Sequence, residues 1–309
     1  MSSVSDNDWT KLSPYDRFSY FIASKVDRYK TLLQTVEKMG LNSLVLPIEG
    51  NRHFFIFPPG KKIPRPAGSS LPFAGESPYL FVAHYDRVEG SPGANDNSIA
   101  VFHLLNAAKI FAQRNISQWI ILFTDKEELK PGENFEKQGS FTLAKNLKTW
   151  GLEKAKIFNF DSCGTGDTFV LSTITDIILG NSENPNLGKL KDSIRQLRNH
   201  ALETAHRLRL DKVLLAPIPL CDDMGFLRAG YASQTITMLP ATEASQYEEV
   251  LRKYPEFTKL LISGEIKTSP ERKHLPLTWR NLNTPADNPA RLTPQYFDNV
   301  VNFMVGLCR

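Results

Sequence analysis

Two continuous apolar runs, Tyr79–Ala83 and Trp119–Phe123, constrain this chain more than any other feature. Five apolar residues without polar alternation suit a strand buried on both faces, which only a sheet covered on both sides provides. A third strand is read at 155–160, and others at 43–48, 53–57, 168–172 and 233–239. Helical spacing falls between and around them, at 14–39, 98–111, 141–150, 192–208 and 294–307. Phe18, Ile22, Val26, Leu33 and Val36 mark the first helix, and Gly40 stops it. Strands alternating with helices predict an α/β fold with a mostly parallel, mixed central sheet and helices on both faces.

The expectation is a single domain over 1–309, with the N-terminal helix near 14–39 and insertions near 58–77 and 241–276. A net charge of +4, with no basic cluster, argues against a nucleic-acid or membrane partner. No apolar stretch approaches the roughly 18 to 20 residues of a membrane span. The first eight residues lack the basic start and apolar run of a signal peptide. Cys163, Cys221 and Cys308 are far apart and odd in number, so they form neither a disulfide framework nor a metal knuckle. These features point to a reduced, cytoplasmic compartment. The oligomeric state is not encoded in any of them.

Ligands of open α/β sheets bind beyond the carboxyl ends of the strands. That edge is where this chain collects ionisable residues. His84-Tyr85-Asp86 follows the first buried strand, Asp125-Lys126-Glu127-Glu128 the second, and Asp161 the third. Asp96, in Gly93-Ala94-Asn95-Asp96-Asn97, opens a helix. Each alone has an ordinary reading: Asp96 as a helix cap, Asp161 as a turn former, the glutamate pair as a solvated strand end. Together they form a candidate metal site. Asp86 is placed to accept the second ring N–H of a metal-bound His84. One glutamate can bind metal while the other takes a proton from metal-bound water.

These motifs, with Gly139-Ser140, Cys221-Asp222-Asp223-Met224-Gly225-Phe226 and the stretch from Trp279 to Asp287, resemble the co-catalytic zinc aminopeptidases of the bacterial leucyl aminopeptidase type. Relatives of that family include glutamate carboxypeptidase and the glutaminyl cyclases. The resemblance implies a zinc-exopeptidase-like fold. It implies that His84, Asp96 and Asp161 bind one zinc, that Asp96 bridges to a second held by Glu128, that Glu127 is the general base and that Asp86 orients His84. The implied substrate is a peptide or small amide with a free amine.

One position departs from the pattern. Where the family has a late histidine ligand, this chain has Asn283, flanked by the matching Trp279, Thr284, Pro285 and Asp287. An amide oxygen is a neutral, hard ligand, better suited to manganese, magnesium or calcium than to zinc. The expectation is therefore zinc, as one or two ions, with manganese or magnesium an alternative at the Asn283 position. His274 is a possible replacement ligand, whereas His103, His200 and His206 fall on helices. Asp222-Asp223, where relatives often have Asp-His, is expected in the substrate wall, favouring an amine or basic side chain. The leading expectation is a metal-dependent exopeptidase of aminopeptidase type. The alternatives are a non-catalytic binding protein on the same scaffold and a single-metal amide hydrolase. Glutaminyl cyclase ranks lower, because its metal is held, by resemblance, at the position that Asn283 alters.

Overall fold

The computed structural model describes residues 13–63, 70–130, 132–180, 184–210 and 212–309. Among these, eight strands form one sheet: β1 (Asn42–Ile48), β2 (Asn51–Phe57), β3 (Tyr79–His84), β4 (Trp119–Thr124), β5 (Lys156–Phe160), β6 (Thr168–Ser172), β7 (Val213–Ala216) and β8 (Ser233–Leu239). Their order is β1-β2-β4-β3-β5-β8-β6-β7. The central four, β4-β3-β5-β8, run parallel, and β2 and β6 flank them antiparallel. Parallel pairing sends the carboxyl ends of β3, β4 and β5 to one edge, where His84, Thr124 and Phe160 terminate them.

The side chains of the central strands divide between two cores. Phe81, Ala83, Ile121 and Phe123 face one side. There they meet α2 (Arg28–Lys38), α3 (Ile99–Gln113), α6 (Pro185–Arg207) and α11 (Phe297–Leu307). Leu80, Val82, Ile120 and Leu122 face the other, against Leu143, Leu147, Trp150 and Phe226 from α4 (Gly139–Ala144), the turns after it and α7 (Asp222–Arg228). Both sets are fully buried, as an unbroken apolar run requires.

Several boundaries differ from the sequence reading. The helix expected over 14–39 is a single 3-10 turn (Pro14–Arg17), a short α1 (Phe18–Phe21) and, after a bend, α2. Lys25 takes a left-handed backbone (φ 66°), and Asp27 caps α2 by accepting from the Lys30 N–H at 3.0 Å. The helix expected over 141–150 spans only Gly139–Ala144 before the chain turns toward Gly151. The charged helix begins seven residues early, at Pro185, where Asn184 caps it.

The short α5 (Ile174–Leu179) precedes α6, and the 241–276 segment is mostly helical, with α8 (Ala241–Lys253) and α9 (Phe257–Ser263) leading to α10 (Leu277–Asn281). It buries Tyr247, Phe257 and Leu261 against Val170 and Leu239 of the sheet. In the 58–77 loop, residues 64–69 lie outside the described residues, and Leu71 and Phe73 pack with Trp150. No described helix is long and apolar enough to cross a membrane.

Candidate metal centre

The turn that carries Asp96 begins at Gly93, whose backbone is left-handed (φ 59°). A Cβ there would stand 2.7 Å from the Asp96 carbonyl oxygen, so only glycine fits. Three successive side chains or backbones then fasten the turn. The Asp287 carboxylate accepts the N–H groups of Asn95 (2.8 Å) and Asp96 (3.1 Å). The Asn95 side-chain oxygen accepts from Gly164 N–H at 2.8 Å. Asn97 accepts from Ser162 N–H at 3.2 Å and donates to the Phe160 carbonyl at 2.8 Å. Asp96 is thereby fixed to the loop that carries Asp161.

Asp86 plays the same part for the glutamates. Its carboxylate accepts the Glu127 N–H at 3.1 Å and the Glu128 N–H at 3.0 Å, and lies 3.4 Å from His84 Nδ1. Burial pushes the Asp86 carboxyl up, but His84 and these two amides outweigh it and hold it below its ordinary range. Beneath both turns lies Arg28, buried and stacked 4.4 Å over the Phe21 ring. It donates to the Asp86 carbonyl at 2.7 Å, to the Gly93 carbonyl at 3.4 Å and to Ser98 Oγ.

His84 Nε2 lies 3.0 Å from Asp96 Oδ1 and 4.0 Å from Asp161 Oδ2. Ligand atoms of His84, Asp96 and Glu128 all lie within 4.8 Å of one another. Both ring nitrogens of His84 are buried without a hydrogen-bond partner. Burial and the neighbouring carboxylates push Glu128 up to about 8 and Asp161 to about 7, and raise Glu127 well above its ordinary value. A buried imidazole whose nitrogens face crowded carboxylates suits a divalent cation. These residues fit zinc, with His84 and Asp96 central and Glu128 and Asp161 beside them.

Glu127 lies outside the three-residue group but lines the same cavity, and its Oε1 accepts from Gln138 at 3.3 Å. Asn283 sits at the centre in a left-handed backbone (φ 61°) and donates its amide N–H to Glu128 Oε2 at 3.1 Å. In this arrangement its amide group supports a carboxylate of the centre. The cavity, about 680 Å³, has the carboxylates on one side and an apolar wall that includes Ile218, Leu220, Leu275 and Trp279.

A family model for Peptidase family M28 matches residues 69–300. The chain belongs to peptidase family M28. The fold of this M28 protein is similar to a leucine aminopeptidase precursor from Bacteroides thetaiotaomicron, at 14% identity and TM-score 0.59, covering 98% of this chain and 96% of that one. It is equally similar to the glutaminyl cyclase of the same organism, at 15% identity and TM-score 0.59, covering 98% and 97%. A zinc aminopeptidase from Bacillus subtilis shares 16% identity at TM-score 0.51. That match covers 83% of this chain but only 49% of the other, so the chain spans about half of that protein's length. Comparison with curated protein sequences finds no match.

Two expectations are corrected by this geometry. Asp222 and Asp223 do not line the cavity: both are buried, Asp222 accepting from Thr124 Oγ1 at 2.6 Å and Asp223 lying 3.3 Å from Cys221 Sγ. They begin α7 under the sheet edge, so their charge does not face a substrate. His274 turns away from the centre, 3.1 Å from Glu271 and against the Tyr254 ring. Residues that sequence reasoning missed are Arg28, Asn95, Asn97 and Gln138. Only Asn95 and Asn97 carried a signal, since they flank Asp96.

Proposed function

We propose that this M28 protein is a metal-dependent exopeptidase of aminopeptidase type, acting on short peptides or amides with a free amine. The observation that carries this reading is the division of the glutamate pair. Glu128 joins His84 and Asp96 within ligand distance, while Glu127 stands outside that group and faces the cavity. Bound zinc would polarise the scissile carbonyl and lower the pKa of an attacking water toward neutral. His84, Asp96, Asp161 and Glu128 would hold it, and Asp86 fixes the His84 ring and the Glu127–Glu128 backbone. Glu127 accepts the proton from the water and passes it to the leaving amine. Burial and the neighbouring Glu128 raise its proton affinity above that of an ordinary carboxylate.

Glu127→Gln tests the assignment. Hydrolysis of aminoacyl arylamides falls by about 10²- to 10⁴-fold, while metal content and folding stay unchanged. Intact hydrolysis in that variant contradicts it. One observation favours a second reading, a binding protein on a peptidase scaffold: Asn283 gives Glu128 an N–H where the family pattern has a metal ligand. Glutaminyl cyclase ranks below both, because Asn283 alters the metal position that cyclase chemistry uses by resemblance.

A further inference from the structure

The cavity carries cations as well as ligand carboxylates. Five carboxylates line it, Glu89, Asp96, Glu127, Glu128 and Asp161, against four cations, Arg87, Lys130, Lys267 and Arg272. A divalent ion held by the carboxylates would offset them and leave the cations to act on a substrate in a low-dielectric pocket, where such charges act strongly.

The four cations are not equivalent. Arg87 is committed to the carbonyls of Ile22, Pro92 and Ala23. Arg272 uses one nitrogen on the Arg280 carbonyl at 2.6 Å, which leaves the rest of its fork. Among the described residues, neither the Lys130 nor the Lys267 ammonium has an ion pair or hydrogen-bond partner. The acid next to Arg272, Glu271, is taken by Lys273 and His274. Lys267 follows the buried Ile266, and Arg272 stands three residues before the buried Leu275, so both charges rise from the apolar wall. The volume, about 680 Å³, suits a ligand of a few residues.

We propose that the site selects short apolar peptides by their free C-terminal carboxylate, held by Lys267 and Arg272 beside the wall of Ile266, Leu275 and Trp279. Basic side chains are disfavoured by the same two charges. This deepens the peptidase reading and rests on it for the orientation of the peptide.

The test uses the zinc-loaded protein and uncleavable leucyl-leucine isosteres whose peptide bond is a reduced methylene-amine. Titration calorimetry compares the free acid, its C-terminal amide and an amidated leucyl-glutamate analogue. The acid binds at least about tenfold more tightly than its amide, as a charge-assisted hydrogen bond requires. Lys267→Met and Arg272→Met each shrink that ratio while leaving amide binding in place. Equal binding of acid and amide overturns the proposal, and so does a preference that survives both substitutions. Tightest binding by the leucyl-glutamate amide overturns the choice of the C-terminus. Turnover of leucyl-leucine is measured in parallel: a kept preference without hydrolysis would defeat the peptidase reading alone.

Discussion

Asn283 is the residue on which the proposed activity turns. Its left-handed backbone and its bond to Glu128 place it at the metal centre without making it an anionic or imidazole ligand. Asn283→His supplies such a ligand beside Glu128. The expected result is a higher metal content per chain and faster arylamide hydrolysis, both measured on the same preparation. A variant that creates hydrolysis absent from the parent supports the binding-protein reading, and one that changes little means the parent centre is already competent. At this scale the sequence was legible where a functional residue directly follows a strand: His84, Glu127, Glu128 and Asp161 each stand within a few positions of a buried run. It was not legible for Asp287 as a clamp on Asn95 and Asp96, or for Arg28. Their partners lie 192, 191 and 58 residues away, and no local periodicity reports contacts of that range.

The N-terminal element is tied to the chemistry through Arg28. Read as one long helix, residues 14–39 would have no evident reason to stop at Ile22. The bend at Lys25 and the Asp27 cap start α2 where Arg28 can reach beneath both ligand-bearing turns. Arg28→Met removes donors to two carbonyls and a hydroxyl and leaves those acceptors buried. Stability is expected to fall by about 2 kcal/mol or more, measured by urea unfolding of metal-free protein. Arg28→Lys keeps the charge but not the fork, and is expected to recover only part of it. Unchanged stability in Arg28→Met would contradict the clamp. The same local limits explain the elements that sequence reading missed. β7 has four residues and one exposed face at Leu215, too short to show a period. α7 is hidden because its buried start is Asp222-Asp223, where Asp222 is partnered by Thr124, 98 residues away.

At the scale of the whole molecule, two buried histidines outside the centre, His53 and His103, weaken the fold in acid. His103 lies between Tyr15 and the Phe297 ring, and His53 lies in β2 where it meets the Asp125 N–H. Burial lowers His103 to about 3 and His53 to about 4. The unfolded chain protonates both near 6.5 while the folded chain does not, so the stability tied to these two rings is full above about pH 6.5 and is lost as pH falls toward 4. At pH 5 each is expected to cost about 2 kcal/mol, and His103→Gln is expected to flatten that part of the profile in chelated protein. A stability difference between parent and His103→Gln that stays constant from pH 7 to 5 would contradict the neutral burial of that ring.

The central claim is that His84, Asp96, Glu128 and Asp161 form a zinc centre at the carboxyl edge of the sheet. Elemental analysis of protein purified without chelators tests it most directly, with His84→Ala in parallel. The expected result is one tightly held zinc per chain, a second position only partly filled because Asn283 supplies no strong ligand, and loss of the tight ion in His84→Ala. Metal-free parent protein, or a metal content that His84→Ala leaves unchanged, would contradict it.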